Sequence, residues 1–278
     1  MKDGYFYFPI EPLREKYEDN EQVRPSVIIP VISKNGKQFE VALYADAQTI
    51  YFCRIKVPNM KENKISEEDA EIINILKEHL LSVLRLTYDR DVSMPALNFW
   101  TFLGPTEKMG LSLEVEQFLN KNYQINADNI RNVYVNTFKI RNQIRLLSDS
   151  QDRRIPLQYR FLSLYKILEL EFRQKGKWET PDFAEFIARF EPLFKEKCMP
   201  RKKLVNYIHE LRDKCAHIKS NKNVVGVTEL NPKERAEVDK FLPVFIQICT
   251  TLIKEKHGGI DFVTTNPNLP RKVFPYGP

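Results

Sequence analysis

Arg212, Asp213 and His217 stand close together in the stretch "YIHELRDKCAHIKS", Tyr207 to Ser220, with a second histidine, His209, near its start. Histidine changes charge near neutral pH, and arginine grips oxyanions bidentately, so these residue types suit proton transfer on an anionic substrate. Their aim is poorer than their chemistry. At 3.6 residues per turn Leu204, Ile208, Leu211, Cys215 and Ile218 form one apolar stripe, which turns Asp213 and His217 away from the core and leaves Arg212 on the flank. His217 follows Arg212 by five positions, so the two leave a regular helix roughly 140° apart and about 7.5 Å apart along its axis. One such helix alone does not converge them on a common atom.

Metal binding is the competing chemistry, because His209, Asp213 and His217 recur at i, i+4 and i+8. An i, i+4 pair can share an ion, but the outer two residues are about 12 Å apart along the axis. Neither a metal nor another cofactor is therefore expected. "HELRDKCAH" is not HExxH, and the chain has no Gly-rich phosphate loop and no GxSxG elbow. The plainer account makes Arg212 and Asp213 ordinary surface residues and His217 a histidine favoured by the dipole at a helix C-terminus.

The surroundings bear on that choice. From Cys198 to Lys222 the chain places Arg201, Lys202, Lys203, Arg212, Lys214, Lys219 and Lys222 against only Glu210 and Asp213, within a net charge of +6. Such a run is often a solvated helix face; around an arginine and a histidine it suits a polyanion. His209, Lys214, Lys219, Arg201 and Lys202 are accordingly the candidate substrate-binding residues. Arg145, Arg153, Arg154 and Arg160 extend the basic surface in the same reading. Glu169 and Glu171 are weaker candidates for the cleft.

A chain of 278 residues is comfortable for two domains. No apolar run is long enough to cross a bilayer, and the N-terminus lacks a secretory h-region, so no membrane association is expected. Cys53, Cys198, Cys215 and Cys249 stand far apart, without a CxxC pair, which fits a reducing cytoplasm.

The elements predicted from patterning divide near residue 110. "SVIIPVIS" and "QFEVALYAD" read as strands joined by a turn at Asn35-Gly36, with "TIYFCRIKV" as a third. Ser66 with Asp69 marks the start of a helix running to about Tyr88, with Ile72, Leu76, Leu80, Val83 and Leu84 on its apolar face and His79 as a structural or surface residue. "MPALNFWTFLGP" reads as an aromatic connector or strand with Trp100 in the core. From there the period is helical: Ser112 to Asn122, Ala127 to Leu147, Leu157 to Gln174, Pro181 to Lys197, Arg201 to Lys219 and Pro232 to Lys256, followed by a proline-rich tail that packs against something. The expected fold class is α+β, with an N-terminal mixed α/β module over 1–110, sensing or regulatory, and an all-α bundle over 111–278 whose core spans about 127–256.

"LRDKCAH", on the penultimate helix of that bundle, resembles the Arg, polar residue, three residues, His signature of HEPN-domain ribonucleases of toxin and phage-defence type. "YRFLSLYKILELEF" resembles their second bundle helix, and the resemblance covers about Ala127 to Lys256. It implies metal-independent endoribonuclease activity in which a 2′-OH attacks the adjacent phosphorus and leaves a 2′,3′-cyclic phosphate. Arg212 would hold the phosphoryl oxygens, His217 would move the proton and Asp213 would orient them. It also implies an RNA substrate, a homodimer in which two motifs form one composite site, a role in toxin action or antiviral defence, and an antitoxin or other regulatory partner. Some members carry a tyrosine two residues beyond the histidine that a partner enzyme modifies; Lys219 occupies that position. From another class, a catalytically inactive HEPN-like module binding RNA, a nucleotide or a protein partner fits the same residues.

Overall fold

In the computed structural model, which describes residues 2–10, 16–17, 25–45, 50–60, 64–88, 92, 94, 101–102, 113–114, 126–174, 177–178, 180–198, 202–216 and 230–258, the fold is α+β. An antiparallel sheet is followed by a mostly helical region. The chain divides into two compact units, which among the described residues run over 2–136 and 137–258.

In the first unit β1 (Lys2–Pro9), β3 (Val27–Ile32), β4 (Gln38–Ala45), β5 (Ile50–Met60) and β6 (Thr101–Phe102) form one sheet in the order β3-β4-β5-β1-β6, while β2 (Lys16–Tyr17) pairs separately with β7 (Leu113–Glu114). β3 and β4 are joined at the expected Asn35-Gly36 turn. Gly36 has φ +81° and its N–H donates to the Ser33 carbonyl at 3.0 Å, a left-handed position that glycine adopts without a Cβ penalty. β1 has no counterpart among the predicted strands. Its run Tyr5, Phe6, Tyr7, Phe8 is apolar on both faces and buried throughout, so it lacks the alternation that marks a half-exposed strand. α1 (Glu67–Thr87) packs against β5; Ser66 caps it by accepting from the Asp69 N–H, as its sequence position predicts. The helix buries Ile73, Leu76, Leu80, Val83 and Leu84, so Ile73 takes the core place expected of Ile72, which is half-buried. His79 is structural. It is buried on α1 and its Nε2 lies 3.0 Å from the Tyr134 carbonyl oxygen.

Two expectations for helices fail in instructive ways. Leu113 and Glu114, expected within a helix from Ser112 to Asn122, are extended and paired with Lys16 and Tyr17; the rest of that segment lies outside the described residues. The single helix expected from Ala127 to Leu147 is α2 (Ala127–Thr137), a 3-10 turn (Phe138–Ile140) and α3 (Arg141–Gln151). Three residues of tighter winding barely disturb the spacing of Ile130, Val133, Ile140, Ile144 and Leu147, so the apolar period cannot register the break.

The second unit continues with α4 (Leu157–Phe172), β8 (Arg173–Gln174), β9 (Lys177–Trp178), α5 (Thr180–Ala188), α6 (Glu191–Lys197), α7 (Leu204–Ala216) and α8 (Pro232–His257). The small β8–β9 hairpin departs from the expected all-α region: Arg173 and Gln174 leave the helix read as continuing to Gln174. The helix read as Pro181 to Lys197 is likewise two, α5 and α6. α8 starts as its sequence predicts, with Pro232 in the first turn and a capping box in which the Asn231 side chain accepts from the Glu234 N–H at 2.9 Å. α4 is the central element and packs on α3, α5, α7 and α8. Phe161, Phe194, Tyr207, Phe241 and Phe245 form its aromatic core, with the Phe161 and Phe245 rings 4.9 Å apart.

Candidate functional site on helix α7

α7 exists where the apolar stripe places it. Leu204, Ile208, Leu211 and Cys215 are buried as the period predicts, and Tyr207 joins them. Burying that stripe fixes the rotation of the helix and so decides where its polar residues emerge. Arg212 is half-buried and Asp213 exposed, and the Arg212 Nη1 donates to Asp213 Oδ1 at 2.9 Å. The guanidinium carbon lies 5.7 Å from the centroid of the Tyr165 ring, presented by the neighbouring helix α4. Arg212 is thus held by a carboxylate and an aromatic face while its side chain keeps about a third of its surface open, at 35%.

His209 departs from the solvent-facing stripe it shares in the sequence with Asp213 and His217. It is half-buried, its Nδ1 lies 3.0 Å from the Tyr165 hydroxyl, and its ring is enclosed by three aromatic side chains from three elements. The centroid distances are 5.8 Å to Tyr165 on α4, 5.5 Å to Trp178 on β9 and 5.9 Å to Phe183 on α5, all near edge-to-face. Burial holds the His209 imidazole below its ordinary value; the Asp213 carboxylate opposes this and Arg212 reinforces it. Burial also raises the Tyr165 phenol. The structure therefore gathers Tyr165, Trp178, His209, Arg212 and Asp213 into one connected group.

Of the lysines expected to bind substrate, the two among the described residues carry carboxylate partners of their own. Lys202 Nζ donates to Glu210 at 2.6 Å and Lys214 Nζ to Glu237 at 2.6 Å, so the positive field of the basic run is partly neutralised within the chain. Arg201, His217 and Lys219 lie outside the described residues, as do Lys222, Trp100 and the proline-rich tail. The Arg212–His217 pairing is therefore not part of the described geometry. Among the weaker candidates, Glu169 accepts from Arg173 at 3.0 Å, and Glu171 accepts from Gln143 at 2.9 Å and faces His257 Nε2 at 2.9 Å. Arg154 is held by Asp152 at 2.8 Å and Arg160 Nε donates to the Ser150 carbonyl at 2.9 Å, which gives both a structural task. Among the described residues no three His, Cys, Asp or Glu side chains gather as metal ligands.

Sequence reasoning did not single out Tyr165 or Trp178. Tyr165 sits on the polar edge of an apolar helix, and Trp178 lies in "RQKGKWETP", a segment read as a break between helices. The available signal was the amphipathic character of both rings, which bury a body and need a partner for a polar tip. Elsewhere, a polar cavity of about 560 Å³ in the first unit is lined by Asp3, Lys37, Glu40 and Lys56 among others. Its charges are already matched, Lys56 to Asp3 at 2.8 Å and Lys37 to Asp69 at 2.8 Å. Comparison with protein-family models, with curated proteins and with solved structures finds no match to this chain.

Proposed function

We propose that the chain is a cytoplasmic, metal-independent endoribonuclease, working as a homodimer in toxin action or antiviral defence through Arg212, Asp213 and His217. The observation that supports this best is the setting of Arg212: a guanidinium braced by Asp213 and Tyr165 and partly open to solvent. A braced, partly open arginine can take phosphoryl oxygens as charge builds on them in the transition state. His217 supplies proton transfer, a contribution typically worth about 10² to 10⁴ in rate. The products are a 2′,3′-cyclic phosphate and a 5′-OH end. The first unit takes a sensing or regulatory part in this scheme, which leaves room for an antitoxin or other regulatory partner.

The carboxylates on Lys202 and Lys214 favour a second reading, a HEPN-like module that binds RNA, a nucleotide or a protein partner without cleaving, because they reduce the positive field offered to a long polyanion. One experiment separates the two. Purified protein is incubated with mixed RNA in excess chelator, and the ends of any fragments are analysed. Cyclic phosphate ends that vanish with Arg212→Ala and with His217→Ala support the nuclease; intact RNA, or 3′-OH ends made only with a divalent ion, rules it out.

A further inference from the structure

We infer that His209 is a second proton-transfer residue of this site, the base that takes the 2′-hydroxyl proton, and that Tyr165 is the residue that positions it. The inference rests on the ribonuclease reading above and adds a residue to it. Arg212 follows His209 by three positions, so they are neighbours on the surface of α7, about 4.5 Å apart along the axis. His217, five residues on, lies outside the described residues. Both His209 and Arg212 use the same support: the Tyr165 hydroxyl meets His209 Nδ1 at 3.0 Å, and the Tyr165 face carries the Arg212 guanidinium at 5.7 Å. A phosphodiester gripped by Arg212 would lie beside the imidazole.

The remaining ring nitrogen is the one available for chemistry. Among the described residues His209 Nε2 has no hydrogen-bond partner, while Nδ1 is tied and the ring plane is set by Tyr165, Trp178 and Phe183. A phenol hydroxyl both donates and accepts. It can accept from Nδ1–H while Nε2 keeps its lone pair, and the same bond persists once Nε2 is protonated, so the ring need not move during turnover. The groups around the imidazole are the Tyr165 phenol from α4, Trp178 from β9, Phe183 from α5, and Arg212 and Asp213 from α7 itself; Glu169 and Arg173 act on Tyr165. Burial among them favours the neutral ring, the form that can accept a proton at neutral pH.

The step balances with two histidines. His209 Nε2 takes the proton of the 2′-OH, the O2′–P bond forms, the P–O5′ bond breaks, and O5′ receives a proton from an imidazolium. The ribonuclease reading gives that acid role to His217. Exchange with water afterwards returns both rings to their starting states.

A substrate with a sulfur leaving group tests this, because a 5′-thiolate departs without an acid. Rates and pH–rate profiles are compared for an RNA oligonucleotide with a normal and a 5′-thio linkage, with folding checked by circular dichroism. His209→Asn should be slower by about 10² to 10⁴ on both substrates, whereas His217→Ala should recover on the thio linkage. Tyr165→Phe, which keeps the ring, should lower kcat with KM unchanged and displace the acidic limb of the profile. Wild-type rates in His209→Asn, or an unmoved limb in Tyr165→Phe, would overturn the role of His209 and leave the nuclease reading standing. A wild-type protein that makes no cyclic ends overturns both.

Discussion

The Tyr165 hydroxyl lies 3.0 Å from Nδ1 of His209, joining the central helix α4 to the helix that carries Arg212 and Asp213. This bond makes the imidazole part of the packing and part of the surface at once. The folded chain holds His209 below its ordinary value of 6.5, so as pH falls through that value and on through the lower folded one, the unfolded chain binds the extra proton first. The contribution of His209 to stability is therefore full above about 6.5 and is lost toward acid. Melting temperature should drop between pH 7 and 5 more steeply in the wild-type protein than in His209→Asn. Parallel curves for the two proteins would contradict the burial that sets the shift.

Leu211 sits one position before Arg212 and is fully buried on the stripe that sets the rotation of α7. An unpaired carboxylate there costs several kcal/mol, comparable with much of a domain's stability. Leu211→Asp should abolish the cooperative melt, while Leu211→Met, which nearly conserves volume, should lower it only slightly. A normal transition in Leu211→Asp would mean that the helix is rotated differently and that Arg212 emerges elsewhere.

Gly36 gives a prediction independent of function. Nothing lies within 4 Å of a Cβ built there, so a side chain has room, but φ is +81°. Gly36→Val should therefore shift the denaturation midpoint by the conformational strain alone, roughly 1–2 kcal/mol, with an unchanged denaturant slope. Gly36→Asn, a residue that tolerates the left-handed region, should lose less. Equal losses in the two variants would point to something other than φ.

The burial of α7 was legible in the sequence because Leu204, Ile208, Leu211 and Cys215 repeat at the helical period and nothing local competes with it. The Asn35-Gly36 turn and the Ser66 and Asn231 caps were legible for a similar reason, since each is specified within a few residues. What lay hidden is non-local. His209 reads as solvent-facing from its own helix, and only Trp178 from the β8–β9 hairpin and Phe183 from α5, both distant in sequence, enclose it. The same holds for the lysines: Lys214 looks free until Glu237 of α8 folds against it. Local pattern thus located the helix and its arginine, while tertiary packing set His209 among Tyr165, Trp178 and Phe183 and laid Arg212 on the same Tyr165 ring.

The last prediction concerns assembly and follows from the helix geometry. If the helix ran on regularly past Ala216, Arg212 and His217 would diverge, so a nuclease site as proposed would need a second motif, which a two-fold axis beside α7 would supply with the same surface on both copies. Specific activity should then fall on dilution below the dimer dissociation constant and return on concentration. Because Lys202 and Lys214 are already partnered, RNA affinity should weaken as salt rises with a slope nearer that of a few phosphate contacts than of the whole basic run. A mixed dimer of one wild-type and one His217→Ala chain does not by itself separate composite from independent sites. Two independent sites retain half the activity per dimer. In a composite site each centre draws Arg212 and His209 from one copy and His217 from the other, so the mixed dimer also keeps one intact centre, but a dimer of His217→Ala with an Arg212→Ala, His209→Asn chain regains one where neither homodimer has any. Complementation of this kind, measured as cleavage appearing when two inactive proteins are mixed, is expected only if the site crosses the dimer. Its absence, together with undiminished activity in a monomer at high dilution, would place Arg212 and His217 of a single chain on the same phosphate and require α7 to distort beyond Ala216.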